Sequence, residues 1–283
     1  MKLSPKLSQK LSYMLLFIAT MLAIIPVLII IFLIIKNGYS AINWKFLTSM
    51  PEDGMRAGGI FPAIIGTFAI VMCAIVITLP VGVCAAIYLN EYAKDNFLTR
   101  LIKLAIVNLA GVPSVVYGLF GLGIFVMFLK LGVSIIAGAL TLSIMELPVI
   151  ITTARGALNS VPQSFREVSL SLGVSRWQTI RHIVLPNALS GILTGTILSI
   201  ARISGETAPI LFTAAAFYVP RLPDSIFDQV MALPYHLYII STQIPNMPKN
   251  IIYGTALVLM MMVLTMSFVA IFARIYFRKR RKW

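Results

Sequence analysis

The sequence predicts an all-α integral membrane protein with six transmembrane helices, and three observations lead to that fold class. Hydrophobic residues make up 59% of the chain and charged residues only 11%, whereas soluble domains carry roughly 25% charged residues. Six apolar runs are long enough to cross about 30 Å of hydrocarbon. The basic residues cluster at the ends of these runs. A soluble fold could not bury so much apolar surface, so we expect a bilayer to be the solvent.

The predicted spans and their connections treat residues 1–283 as a single transmembrane domain. The spans lie near residues 11–35, 60–89, 104–129, 131–151, 188–213 and 251–273. A polar loop occupies residues 152–187. The outer segment 36–59 is predicted to be a loop with a short interfacial piece around Trp44. Proline and aromatic residues fill the second outer segment, 214–250, which favours an interfacial lid or a partly re-entrant hairpin, and both partner docking and interfacial anchoring stay open for it.

The distribution of Lys and Arg predicts the orientation of the chain. Sixteen of these residues fall in the two terminal tails and in the 90–103 and 152–187 loops, against six in the opposite set of connections. Cytoplasmic loops carry the excess of basic residues, so we expect both termini and the 152–187 loop in the cytoplasm. The net charge of +14 therefore reports orientation and attraction to anionic lipid rather than nucleic-acid binding.

The longest polar interval with helical patterning, Glu167–Pro186, predicts two short helices. Each helix has one apolar face, formed in the first by Phe165, Val168 and Leu172 and in the second by Trp177, Ile180 and Val184. Gly173 can end the first helix in a left-handed conformation. Ser175 and Gln178 form a capping box that begins the second helix, and Pro186 is predicted to end it. Such a helix pair between two spans suits docking into a groove on another protein.

Two charged residues, Arg202 and Glu206, interrupt the fifth predicted span. A charge at bilayer depth costs at least ~2.5 kcal/mol, so we expect the pair to have a specific structural or functional role. At a spacing of four they share a helix face and can pair, and a purely structural ion pair is one reading. The functional reading is an anion site, because the Arg202 fork matches a tetrahedral oxyanion. Ser204 and Thr207 would add hydroxyl donors, and Pro209 should loosen the helix.

Two acids in the predicted spans, Glu206 and Glu146, have different expected roles. Glu206 would repel a fully ionised oxyanion and can accept a hydrogen bond from a protonated one, which favours phosphate over sulfate. Glu146 is expected near the cytoplasmic exit of the fourth span, where packing or pairing is its expected use.

Other reactive residues give weaker signals. Cys73 and Cys84 are about 16 Å apart on a helix, too far for a disulfide, and no metal-ligand spacing occurs. His182 and His236 are isolated, and solvated or capping roles are expected for them. No GxxxxGK[ST], HExxH or GxSxG sequence is present. The chain therefore binds no nucleotide through such a motif.

Two resemblances narrow the interpretation. Glu167, Leu170, Gly173, Ile183 and Leu185-Pro186 stand at the spacing of the "EAA" loop of ABC importer permeases. Residues 202–209, with Arg202 followed by Gly-Glu-Thr-Ala-Pro, resemble the signature of phosphate ABC permeases, in the PstA rather than the PstC subunit type. Residues 58–67, 113–119 and, less strongly, 146–148 resemble the same family.

These resemblances imply a type I ABC importer permease of the inner membrane, which is not itself an enzyme. They imply a second permease subunit, a cytoplasmic ATPase dimer that binds the ATP, and an extracytoplasmic phosphate-binding protein. The chain would need no cofactor and no metal of its own. The residues assigned to ATPase coupling are Glu167, Gly173, Arg166, Trp177, Leu185 and Pro186. The residues assigned to substrate translocation are Arg202, Glu206, Ser204 and Thr207. Two alternatives stay open: a sulfate or molybdate importer subunit, and a membrane-embedded enzyme acting on lipid phosphate.

Overall fold

The computed structural model describes residues 5–279, which form a helical bundle with one short hairpin between the second and third helices. The helices are α1 (Pro5–Gly38), α2 (Trp44–Thr48), α3 (Phe61–Ile87), α4 (Phe97–Leu109), α5 (Ser114–Gly121), α6 (Ile135–Asn159), α7 (Gln163–Ser171), α8 (Arg176–Thr179), α9 (Leu185–Ile203), α10 (Ala208–Thr213), α11 (Leu233–Thr242) and α12 (Lys249–Lys279). Wider π-helical turns follow three of them, at Tyr88–Tyr92, Leu122–Phe128 and Ile180–Val184. Strands β1 (Pro51–Glu52) and β2 (Ala57–Gly58) pair antiparallel.

Within residues 5–279, five helices are long and apolar enough to cross a membrane, and a sixth span results if the bent pair α4–α5 counts as one. The span predicted near 104–129 corresponds to this pair, whose two helices meet at an angle of 106°. Pro113 has no N–H to continue α4 and is extended. The hydroxyl of Tyr117 donates to the carbonyl of Leu109 at 2.7 Å, which satisfies a group left free where α4 ends.

The helix predicted to end at Pro186 runs through that residue instead. From Arg176 to Ile203 the chain is one continuous helical rod, so the second coupling helix and the fifth span are a single element. In the π-helical turn before Pro186 the N–H of Leu185 bonds to the carbonyl of Ile180, five residues back. A turn of this width changes the hydrogen-bond register just where the proline ring would otherwise clash.

The centre of the bundle is the packing of α3, α6 and α9. Gly191 and Gly195 of α9, four residues apart, lie in close contact with α6. A Cβ atom at Gly191 would lie 2.5 Å from the Cβ of Ala157 on α6, and one at Gly195 would overlap Thr153 of the same helix. Small residues let membrane helices approach this closely. On the other side of the bundle α12 packs against α9 and α1 packs against α12.

The second outer segment is built into the bundle rather than lying on it as a lid. Leu233, Ile239 and Ile240 of α11 are buried, and the N–H of Leu233 donates to the Thr67 hydroxyl on α3 at 2.7 Å. In the outer segment 36–59, which was predicted to be a loop with a short interfacial piece around Trp44, that piece is the helix α2, with the indole exposed.

Candidate anion site and coupling surface

Arg202 lies in the last turn of α9 between two carboxylates. Its Nε is 3.4 Å from Oε1 of Glu146 and 3.8 Å from Oε1 of Glu206. The Arg202 side chain is 44% exposed, whereas Glu206 is 19% and Glu146 only 1% exposed. The guanidinium therefore emerges from the packed bundle with a buried acid behind it.

The position of Glu146 corrects the expectation that it sits at the cytoplasmic exit. It lies eleven residues into α6, about 16 Å from Ile135, near the middle of the helix. The buried Ser199 of α9 places its hydroxyl beside this carboxylate. The predicted use of Glu146 in pairing is confirmed, but its partner on another helix carries no local sequence signal. The only sequence feature that drew attention to Glu146 was the presence of an acid inside an apolar run.

The predicted pairing of Arg202 with Glu206 is present, although the two do not share a regular helix. The α9 helix ends at Ile203, and the N–H groups of Gly205 and Glu206 bond to carbonyls three residues back, at 3.1 and 3.2 Å. These tight turns bring the Glu206 carboxylate back toward the guanidinium. The loosening expected before Pro209 is therefore confirmed as a break between α9 and α10.

The two predicted hydroxyl donors have different positions. Ser204 is fully buried, and its hydroxyl donates to the carbonyl of Ile200 at 2.6 Å. Both its burial and its hydrogen bond keep this hydroxyl inside the bundle, and its role as a donor to substrate stays a prediction. Thr207 is half-buried at the start of α10 and makes no capping hydrogen bond there. Its role at the site stays a prediction.

The arrangement leaves an arginine fork available. Among residues 5–279, no hydrogen bond from the Arg202 guanidinium occurs, and the closest approach of each acid is to Nε. The outer Nη groups can then receive two oxygens of an anion. No group of three His, Cys, Asp or Glu residues that could hold a metal occurs in the described part of the chain.

The coupling helices have the predicted junction. Gly173 has a φ of 78°, a left-handed conformation that glycine adopts without steric cost. The Ser175–Gln178 capping box is present, with both reciprocal hydrogen bonds. A buried hydrogen bond of 2.9 Å joins the hydroxyls of Ser169 on α7 and Thr179 on α8. The two helices are therefore fixed against each other.

Most of the predicted coupling residues are accessible. Glu167 and Trp177 are exposed, and Leu185 and Pro186 are half-buried. Arg166 is not free, because it forms a buried ion pair with Glu91 inside the chain. Its guanidinium is therefore held inside the chain and is not presented on the surface of α7, and its assigned part in ATPase coupling stays a prediction.

The two histidines differ. His182 is exposed, and its Nδ1 lies 3.1 Å from the Gln178 carbonyl. His236 on α11 is buried, and its Nδ1 has no hydrogen-bond partner within residues 5–279. Burial lowers the pKa of His236 to about 4, so the ring is neutral at pH 7. The predicted solvated or capping role is wrong for His236.

The family model and the similar proteins found by comparison all belong to membrane transport systems. A family model for the "binding-protein-dependent transport system inner membrane component" matches residues 78–282. A probable ABC transporter permease protein, YqgI of Bacillus subtilis (strain 168), is 37% identical over 84% of this chain and 85% of its own length. The phosphate transport system permease protein PstA of Pasteurella multocida (strain Pm70) is 35% identical over 89% of this chain and 88% of its own length.

The fold also resembles that of a solved transporter. A chain of a bacterial alginate ABC transporter crystallised with its periplasmic protein superposes with a TM-score of 0.69, at 13% identity, over 93% of both chains. At this identity the likeness concerns the fold alone. Together with the family match over residues 78–282, the observations lead to one conclusion: this chain belongs to the family of binding-protein-dependent transport system inner membrane components.

Proposed function

We propose that this chain is the permease subunit of an ATP-driven importer that moves inorganic phosphate across the inner membrane. The observation that carries the proposal is the half-exposed guanidinium of Arg202 inside a membrane-spanning bundle. The name of the Pasteurella relative supports phosphate as the cargo. The same family supports a transport role rather than an enzymatic one.

Lipid cannot cover this guanidinium without a large cost, because a charged group in hydrocarbon needs water or a polar partner. A second permease subunit facing Arg202 would enclose a polar path between the two chains. In that path the Nη groups of Arg202 hold two oxygens of the anion, while Glu146 and Glu206 keep the guanidinium oriented through Nε. Arginine suits this work because its planar fork matches a tetrahedral oxyanion.

Glu206 would select the cargo. Its carboxylate lies beside the fork and is partly exposed. A carboxylate accepts a hydrogen bond from the protonated oxygen of phosphate, whereas fully ionised sulfate offers no proton and is repelled. We expect Glu206→Gln to reduce the preference for phosphate over sulfate in competition uptake assays. An unchanged preference would reject this role and reopen the sulfate or molybdate alternative.

The surface formed by α7 and the start of α8 would bind the ATPase dimer. Phe165, Val168, Leu172 and Ile183 line an apolar groove there, between the two helices. The exposed Glu167 offers a carboxylate to a basic residue of the ATPase. The ATPase, and not this chain, would bind the nucleotide. Because α8 continues into α9, a movement of this surface would be carried by one rigid rod toward Arg202.

The remaining parts of the proposal are the orientation and the outer partner. The excess of Lys and Arg supports cytoplasmic termini. Lys2 and Arg280–Lys282, which contribute to that excess, lie outside the described residues. An extracytoplasmic phosphate-binding protein would deliver the anion on the opposite side.

The decisive experiment is phosphate uptake into proteoliposomes containing the reconstituted complex. We expect uptake to require ATP and the binding protein, and Arg202→Gln to abolish it in a complex that still assembles. Full uptake by an assembled Arg202→Gln complex would reject the proposed site. Activity of the isolated chain on a phospholipid would support the enzyme alternative.

A further inference from the structure

Glu91 and Arg166 form a largely buried ion pair at the end of the bundle that carries α7. The Nη2 of Arg166 donates to Oε1 of Glu91 at 2.8 Å, and its Nε donates to Oε2 at 3.3 Å. The two side chains are only 12% and 8% exposed. Asn90 donates to the same Oε1 at 2.8 Å, which fixes the orientation of the carboxylate. The two residues are 75 positions apart in the sequence and lie on different helical segments.

The same guanidinium also binds two backbone carbonyls. Its Nη2 donates to Leu158 at 2.9 Å and its Nη1 donates to Val161 at 2.8 Å. Leu158 lies in the last turn of α6 and Glu91 in the turn that extends α3. One side chain of α7 therefore connects this helix to the ends of two membrane-spanning helices.

Besides Arg166, α7 has one buried residue, Ser169. Its hydrogen bond to Thr179 connects α7 to the continuous α8–α9 helix, and not to α3 or α6. A pull on α7 consequently reaches α3 and α6 through Arg166. Helix α6 also carries Glu146, the buried acid behind Arg202.

We propose that the Glu91–Arg166 pair makes α7 and the spans α3 and α6 move as one body, so that ATPase movement is converted into movement of the anion site. This inference rests on the proposed function. Buried ion pairs contribute little net stability compared with apolar packing, which leaves room for a role in transmission. Arg166 and Glu91 are positioning residues, since neither touches the anion.

The test measures phosphate taken up per ATP hydrolysed by the complete reconstituted complex. We expect Arg166→Gln and Glu91→Gln to retain ATP hydrolysis while uptake per ATP falls by about tenfold, a coupling loss of the size found for networks between distant sites. The double variant is expected to be no worse than Arg166→Gln alone. Arg166→Lys, which retains one charged hydrogen bond to Glu91, is expected to recover part of the ratio.

The matched control is the exposed pair Asp95–Arg100, which has the same 2.8 Å ion-pair distance. Asp95→Asn should leave both activities and their ratio unchanged.

The proposal is overturned if uptake and ATP hydrolysis fall in proportion, or if Glu91→Gln prevents assembly, because a structural role of the pair would then suffice. It is also overturned if neither activity falls. Glu91→Gln decides the matter where Arg166→Gln fails to assemble, since Arg166 keeps its bonds to both carbonyls. Absence of phosphate uptake by the wild-type complex would reject the proposed function instead.

Discussion

Replacing Arg202 with glutamine has two separable consequences, one for stability and one for transport. The substitution leaves Glu146 buried at 1% exposure and removes its ion-pair partner. Removing one partner of a buried ion pair costs about 3–5 kcal/mol. Protonation limits this cost, since neutralising a carboxyl of ordinary acidity at pH 7 requires about 3.7 kcal/mol. We therefore expect the free energy of unfolding to fall by about 3–4 kcal/mol, a large part of a typical total.

The double variant Arg202→Gln/Glu146→Gln separates the two consequences. It removes the acid together with the arginine, so most of the lost stability is expected to return, while phosphate uptake stays absent because no fork remains. Unfolding of the purified complex in detergent measures the first quantity, and uptake into proteoliposomes measures the second. Uptake by the double variant near the wild-type rate would refute the assignment of Arg202 to the anion path. An Arg202→Gln variant as stable as the wild type would refute the energetic argument.

Three further predictions follow from particular backbone and side-chain environments. Gly173→Pro cannot adopt the required φ of 78° and should abolish co-purification of the ATPase, whereas retained assembly and uptake would contradict the coupling assignment. Gly195→Ala places a methyl group against Thr153 and should cost about 1–3 kcal/mol in thermal unfolding. Gly123→Ala, with open space around it, should cost little, and equal losses would contradict the packing argument. The unfolded state protonates His236 below pH 6.5 and the folded state only near pH 4, so stability should fall by about 3 kcal/mol as the pH drops through this window. His236→Phe should abolish that pH dependence, and an unchanged pH profile would contradict it.

Local features of the site were predictable because their causes lie within a few residues. The capping box at Ser175, the left-handed Gly173 and the break before Pro209 each follow from the chemistry of one turn. The proximity of Arg202 and Glu206 follows from their spacing, although the actual turn is tighter than a helix.

Contacts between helices were not predictable in the same way. The pairing of Glu146 with Arg202, and that of Glu91 with Arg166, depends on how separate helices pack. A single sequence does not determine that packing. The passage of the helix through Pro186 depends on a π-helical turn, whose hydrogen bond to the fifth preceding residue gives no compositional signal.

The packing of the segment 214–250 was not predictable for a related reason. Its prolines and aromatic residues suggested an interfacial lid or a partly re-entrant hairpin, but proline at the second position of α11 begins that helix. The apolar side chains of α11 then fill space beside α3 and α12. Composition indicated the residue types of this segment but not the depth at which they pack.

The central claim, that the break after α9 faces an aqueous path for phosphate, is tested most directly by chemical labelling. Gly205 is exposed beside Arg202, and a Cβ atom there would meet its nearest neighbour at 3.8 Å, so Gly205→Cys is sterically tolerated. In a variant lacking Cys73 and Cys84, this cysteine should react with a membrane-impermeant thiol reagent in the assembled complex, and phosphate should slow the reaction. A cysteine that stays unreactive in every nucleotide state, or that reacts at the same rate with and without phosphate, would contradict the account.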